Sequence, residues 1–302
     1  MVSNGIQHGY SSVLMPTDYL QDVGKHAIMY TLLISSLFCA CCALVKRWSK
    51  KGDESRDKTK EDKATTLLNS FQLTNLIINI GLGFYGIYWW FLVLPNGCHD
   101  SDKIGHPYKI TKECLTPAFF SEFQMSYQLW SIPLCILVGE NSGPMMAHHV
   151  SVATLAVMCS TLITSTRYYC VFYFGVVESS SVFLSIMNAF KSRPHWIEAM
   201  PTLFACSKLL FSVTFLCMRI VLWIPLLLDF FRIAWDIGTS RGEHNGIYHI
   251  LVVTSFAPAF VLTAMQIFWA SKIIRGLVKM ISKPTDSEWH SGVSSHGKDK
   301  GD

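Results

Sequence analysis

Residues 64–98 read ATTLLNSFQLTNLIINIGLGFYGIYWWFLVLPNGC and contain no Lys, Arg, Asp or Glu. A helix needs about 20 apolar residues to cross the hydrocarbon core of a bilayer. The apolar centre of this stretch, residues 71–94, reaches that length. We therefore interpret it as a membrane-spanning helix.

Further runs of similar length and low charge occur on both sides of it. They cover residues 27–45, 119–138, 145–165, 168–188, 203–228 and 248–270. A soluble protein can bury one or two such runs as core helices, but it has no place for about seven. The sequence therefore predicts an all-α fold, a multipass transmembrane helical bundle of about seven spans.

The composition agrees with a membrane protein. Of the 302 residues, 50% are hydrophobic and only 15% are charged, against about 25% charged in an average soluble domain. These values exclude a disordered chain, a collagen-like chain and an ordinary soluble enzyme. The net charge of +4 is small, and no basic patch interleaved with aromatic residues is present, so nucleic acid is not an expected partner.

The distribution of Lys and Arg predicts the orientation, because cytoplasmic loops hold the excess of these residues. With seven spans, sixteen Lys and Arg residues fall on the side of the 46–63 segment and seven fall on the other side. We therefore expect residues 1–63 to comprise a lumenal N-terminus, the first transmembrane helix and a cytosolic basic loop. Residues 64–281 would form the main helical domain, and 282–302 a disordered cytosolic tail.

Two adjacent histidines lie near the start of the run 145–165, the fourth along the chain. His148 and His149 point about 100° apart on a helix, so at most one of them can face a cavity and the other must pack or bond elsewhere. A histidine at this depth can be a general base or a ligand of a lipid headgroup. It can equally be a structural residue bonded across helices, and the sequence leaves both interpretations open.

Glu178 lies near the middle of the fifth run, on a helical face with Gly175, Ser181 and Ser185. This small and polar face favours packing inside the bundle, away from lipid. The carboxyl group can serve a hydrogen bond between helices, or it can orient an imidazole. The candidate catalytic residues are therefore His148, His149 and Glu178.

Lys208, Ser212 and Arg219 share one predicted helical face of the sixth run. A cationic stripe of this kind can bind the phosphate or carboxylate of a lipid, although a purely structural role is the favoured alternative. Cys98 and Cys114 both fall in the loop assigned to the lumen, where an oxidising environment would allow a disulfide. No Cys and His spacing resembles a metal site, and no cofactor motif is present.

Four motifs, in order along the chain, resemble those of the TLC family of membrane proteins. They are the double histidine His148-His149, the stretch beginning at Glu178 and ending Phe183-Leu184, the segment from Phe215 to Arg219 before Pro225, and Gln266-Ile267-Phe268-Trp269 followed by Arg275. The resemblance runs from about residue 64 to 281. It implies a helical bundle around a membrane cavity, usually in the endoplasmic reticulum, that handles lipids. Lys298 and Lys300, the fifth and third residues from the C-terminus, resemble a retrieval signal for that compartment.

The resemblance allows three functions. The first is a lipid-binding protein that affects membrane lipid composition, with membrane lipids as its partners. The second is the activity of the family's ceramide synthases, which transfer an acyl group from acyl-CoA, as co-substrate, to a sphingoid base. Those enzymes carry a second His-Asp pair, whereas no histidine lies between His149 and His195 here. The chain therefore resembles more closely the TLC proteins that are not ceramide synthases. The third is a non-catalytic cargo-binding or scaffold protein.

Overall fold

The computed structural model describes residues 17–52, 60–94, 116–140, 142–162, 167–239 and 246–282. All regular structure in these residues is helical, which confirms the predicted all-α fold class. The α-helices are α1 (Thr17–Gly52), α2 (Lys60–Tyr88), α3 (Thr116–Leu137), α4 (Gly143–Thr161), α5 (Arg167–Val171), α6 (Glu178–Lys191), α7 (Pro194–Ala199), α8 (Pro201–Leu216), α9 (Trp223–Thr239) and α10 (Gly246–Ser282).

Short π-helical segments extend or join several of these helices. Trp89–Val93 extends α2, Phe172–Val176 joins α5 to α6, and Cys217–Val221 joins α8 to α9. In the two joining segments the backbone N–H of the residue after the segment donates to the carbonyl five residues earlier, over 3.1 and 3.0 Å. A π-turn holds one more residue than an α-turn and therefore shifts the face that the following residues present.

Five helical rods are long and apolar enough to cross a membrane, judged by length and composition. They are Asp18–Trp48, Ala64–Val93, Arg167–Lys191, Pro201–Arg232 and Val253–Lys279. The remaining two predicted spans are helical as α3 and α4, but they are more polar. On α3 the polar residues Ser121, Glu122, Gln124, Ser126, Gln128 and Ser131 are all buried. The number of seven crossings therefore stays a prediction.

The rods pack side by side in a closed ring. Going around it, α1 contacts α2, α2 contacts α6, and α6 contacts α8, which continues into α9. From there α9 contacts α10, α10 contacts α4, α4 contacts α3, and α3 returns to α1. A closed ring of rods can enclose space between its members, and the candidate site lies in that space.

The buried polar side chains of α3 connect it to its neighbours. The Tyr127 hydroxyl donates a hydrogen bond of 3.0 Å to Asn75 of α2. The Glu122 carboxylate lies 2.9 Å from the imidazole of His26 on α1. Because a buried polar group is costly unless it is hydrogen-bonded, these pairs favour one arrangement of the three helices.

A tight turn sets α4 antiparallel to α3. Gly139 has a φ of 80°, in the left-handed region that a glycine adopts without a Cβ clash. The N–H of Glu140 donates to the carbonyl of Cys135 over 2.9 Å and so ends α3. This turn brings the start of α4, with its two histidines, beside the last turns of α3.

Cys98, Cys114 and residues 283–302 lie outside the described residues. The disulfide and the disordered tail therefore stay predictions.

Candidate functional site

One face of α4 lines an apolar cavity inside the ring. His148, Val152, Leu155 and Cys159 follow helical spacing and all contribute to its wall. The opposite walls come from α5, the Phe172–Val176 segment, α9 and α10, and they include Tyr169, Phe174, Trp223, Leu227, Phe230 and Leu262. The cavity is narrow, with a volume of about 40 Å³.

Two charged side chains meet at the edge of this cavity. The Glu178 carboxylate on α6 lies 3.9 Å from the Arg219 guanidinium, and both residues line the cavity. Only 13% of the Glu178 side chain and 7% of the Arg219 side chain are exposed. A buried charge needs a partner, and each of these groups lies close enough to serve as one for the other.

Arg219 also holds the start of α6 in place. Its Nε donates to the Ser180 hydroxyl over 2.8 Å, and its Nη2 donates to the Ser181 hydroxyl over 2.9 Å. Nη2 also points to the carbonyl of Val177 at 3.4 Å. The guanidinium therefore fixes the turn on which Glu178 sits.

The two π-helical joining segments position this pair. Phe172–Val176 ends just before Glu178, and Cys217–Val221 contains Arg219. Each segment rotates the residues after it relative to a continuous α-helix. Glu178 follows the first segment and Arg219 lies inside the second, and both face the same cavity from neighbouring rods.

The two histidines have different environments. Nδ1 of His149 donates a hydrogen bond of 2.6 Å to Oε1 of Gln128, and its Nε2 lies 3.6 Å from the sulfur of Cys135. His148 lines the apolar cavity, and its ring packs against Trp269 with centroids 5.5 Å apart. The spacing argument expected this division, and the structure identifies His148 as the histidine at the cavity.

Three polar atoms of the cavity-lining residues are buried without a hydrogen-bond partner. They are Nδ1 of His148, the hydroxyl of Tyr173 and Oε1 of Gln266. Leaving such a group unpaired costs about 1–3 kcal/mol. The chemistry of this set suits a ligand with a polar end that can donate and accept hydrogen bonds.

A second, polar chamber adjoins the cavity, with a volume of about 140 Å³. His148 and Glu178 line both spaces. The chamber is also lined by apolar residues such as Phe71, Met145 and Leu184, and by the polar residues Asn75, Asn79, Gln128, His149, Ser181 and Asn188. An imidazole and a carboxylate thus lie between an apolar space, suited to a hydrocarbon, and a polar space suited to water or a headgroup.

The predicted cationic stripe is divided. Lys208 packs over the ring of Phe204, with its nitrogen 4.2 Å from the centroid, and the Ser212 hydroxyl donates to the carbonyl of Lys208 over 2.8 Å. Neither residue lines the cavity that Arg219 lines. The prediction assumed a continuous α-helix, whereas Arg219 lies inside the π-helical segment Cys217–Val221, which departs from that geometry.

Sequence reasoning missed Tyr173 altogether and treated Gln266 only as part of a motif. Tyr173 belongs to an aromatic run, and nothing in its local pattern separates it from a packing residue. Gln266 is a polar residue within an apolar run, and that signal could have identified it. Within the described ranges, no three His, Cys, Asp or Glu side chains are placed to hold a metal ion.

Comparison with known proteins gives one family match. The family model described as TLC domain matches residues 70–275. No curated protein and no solved structure matches the chain. The matched region contains every residue that lines the cavity and all four motifs of the sequence analysis. This multipass membrane protein therefore belongs to the TLC domain family.

Proposed function

We propose that the protein binds a lipid in the apolar cavity and acts in lipid homeostasis, setting membrane lipid composition in the endoplasmic reticulum. The proposal is carried by the three unpartnered polar atoms of His148, Tyr173 and Gln266 at a wall that is otherwise apolar. A lipid can satisfy both features, because its polar end pairs with these atoms while its chain fills the apolar space.

The narrowness of the cavity restricts the shape of this ligand. A volume of about 40 Å³ favours a slender ligand, so the proposal names a lipid with a linear chain and not a sterol with its fused rings. The distribution of Lys and Arg supports a lumenal N-terminus and a cytosolic C-terminus.

A binding experiment tests the proposal. Purified full-length protein is delipidated and titrated with a ceramide, a diacylglycerol and a sterol, and complexes are quantified by native mass spectrometry. We expect Gln266→Leu and Tyr173→Phe together to weaken binding of the linear-chain lipid, because they remove two of the three polar atoms. Tyr85→Phe, at an exposed position, is the matched control. Equal binding by all three proteins would contradict the proposal.

A cellular measurement addresses lipid composition. Deletion of the gene should alter acyl-chain or sphingolipid profiles, and the wild-type chain should restore them while the double variant should not. An unchanged profile after deletion would favour the scaffold function instead.

A second candidate is a sphingoid-base N-acyltransferase, favoured by the unpartnered Nδ1 of His148 beside the Glu178–Arg219 pair. In this reaction the amine nitrogen attacks the acyl-CoA thioester. The new N–C bond forms, the C–S bond breaks, CoA leaves as the thiolate, and His148 takes the amine proton. Glu178 would orient the imidazole.

This candidate has its own assay. Purified protein with acyl-CoA and sphingoid base should produce an N-acylated product, and His148→Ala should abolish its formation. We expect His149→Ala to retain part of the activity, since that ring is held by α3 instead. Product formation by the His148→Ala protein would exclude His148 as the base.

A further inference from the structure

A third space, separate from the apolar cavity, opens between the end of α1, the start of α2, the end of α6, and α7. This groove has a volume of about 580 Å³, larger than either the cavity or the polar chamber. None of the candidate residues of the sequence analysis lines it. It lies at the end of the bundle where α1 and α6 end and α2 begins, which is the end rich in Lys and Arg.

A cation is positioned at this groove. The Arg193 guanidinium stacks over the ring of Trp196, 4.4 Å from its centroid, and both residues line the groove with His195. Among the carboxylates whose side chains the structure describes, which leaves out those of residues 53–62, none lies within ion-pair distance of Arg193. Stacking fixes the plane of the guanidinium while its N–H groups stay available to an anion.

Desolvation acts on the charge of Arg193. Partial burial lowers the pKa of Arg193 from its ordinary value, because desolvation disfavours the charged form. An anion bound beside Arg193 would stabilise its charged form and so offset the desolvation. Neighbouring Lys191 on α6 and the exposed Lys46 and Arg47 on α1 add positive charge at the same end.

The rest of the groove is amphipathic. Val45, Leu73 and Leu76 supply an apolar surface, and Thr65 and Asn69 supply a hydroxyl and an amide. Trp48 and Trp196 flank it, and tryptophan is typical of the level of lipid headgroups in membrane proteins. An anionic amphiphile matches this combination of surfaces better than a free inorganic ion does.

The groove is also connected with the interior. Gln72 and Ser185 line both the groove and the polar chamber, and His148 and Glu178 line both the chamber and the apolar cavity. Oε1 of Gln72 is buried without a hydrogen-bond partner. These shared residues form a continuous series from the groove to the cavity.

We propose that this groove binds the phosphate-bearing headgroup of an anionic phospholipid from the adjoining leaflet. Arg193 pairs with the phosphate oxygens, His195 and the Thr65 hydroxyl add hydrogen bonds, and the acyl chains lie along Leu73 and Leu76. The site uses other residues than the cavity, so it does not depend on the function proposed above.

The test uses a pair of lipids that differ only in the phosphate. Full-length protein in neutral detergent is titrated with phosphatidic acid or with diacylglycerol of the same chains, and binding is measured by native mass spectrometry. We expect wild-type protein to prefer phosphatidic acid and Arg193→Gln to weaken that binding about fivefold, as one cation near a membrane surface contributes. Binding of diacylglycerol should not change.

Controls separate the site from general charge effects. Arg232→Gln removes an exposed arginine from α9 and should leave both affinities unchanged. His195→Gln should give a smaller loss than Arg193→Gln, and its exposed position leaves the fold intact. Each variant is checked by thermal unfolding.

Three results would overturn the proposal. They are equal affinity for the two lipids, a folded Arg193→Gln protein with unchanged phosphatidic acid binding, and displacement of the lipid by an equal concentration of pyrophosphate. The last result would assign the groove to a soluble phosphate compound. None of these results bears on lipid binding in the cavity, which is read out by the Gln266 and Tyr173 variants.

Discussion

At the scale of single residues, Arg219 contacts several polar groups at once. It pairs with Glu178 and donates to Ser180 and Ser181, so it joins two rods of the ring through one side chain. Its planar fork serves several acceptors at once, which a lysine amine cannot do with the same geometry. Arg219 is therefore a positioning residue for Glu178 as well as part of the cavity wall.

Replacement of Arg219 by Met should destabilise the protein by about 3 kcal/mol, because it leaves the buried Glu178 carboxylate without its cation. Thermal unfolding of the purified protein measures this loss. Lys208→Met on the preceding helix, where the amine packs over Phe204, should change the midpoint little. If the two variants lose equal stability, loss of the Glu178–Arg219 pair is not the cause of the destabilisation.

The two histidines should separate stability from ligand binding. His149→Ala should lower stability by about 1–2 kcal/mol, because the buried Gln128 loses its partner. His148→Ala should lower stability less than His149→Ala, since Nδ1 of His148 has no hydrogen-bond partner to lose. It should instead weaken lipid binding. Thermal unfolding and lipid titration of both proteins check this, and the reverse pattern would contradict it.

At the scale of helices, the close approach of α2 to the Phe172–Val176 segment depends on two glycines. A Cβ on Gly86 would lie 2.4 Å from the backbone carbon of Gly175, and one on Gly175 would lie 2.6 Å from the Phe120 ring. The backbones therefore touch directly. This contact holds the π-helical segment that precedes Glu178.

We expect Gly86→Ala to destabilise the protein by about 1–3 kcal/mol, because the added methyl group forces the two backbones apart. Gly81→Ala on the same helix is the matched control, since nothing lies within 4 Å of its added Cβ. Unfolding midpoints give the comparison. Similar losses for both would mean that helix packing at Gly86 is looser than the structure has it.

The helices themselves could be predicted from the sequence, and the joints between them could not. Over its described residues every predicted run is helical, because uninterrupted apolar residues leave a buried backbone no better hydrogen-bonding choice. The π-turns before Glu178 and at Arg219 have no such signal, because they arise from packing against neighbouring rods. The structure places Lys208 and Ser212 away from the cavity that Arg219 lines. Binding of a lipid or anion by these three residues stays a prediction.

At the scale of the whole molecule, the groove, polar chamber and cavity follow one another through the bundle. The predicted orientation places the groove at the cytosolic leaflet. An impermeant maleimide applied to intact microsomes should then label Ser55→Cys in the 46–63 segment but not Cys98. Peptide mapping by mass spectrometry measures both. Labelling of Cys98 in sealed vesicles would reverse the orientation and remove the basis for the predicted disulfide.

The sequence by itself determined the helical membrane bundle and the family, and it identified His148, Glu178 and Arg219 as candidate site residues. Each of these rests on a local signal, which is either an apolar run or a costly polar group within one. Tertiary structure alone decided that His148 faces the cavity, that His149 is held by Gln128, and that Tyr173 and Gln266 join the site. Such choices depend on which faces of distant helices meet. That is settled by the packing of the ring, where π-turns and glycine contacts change the register that a regular helix would have had.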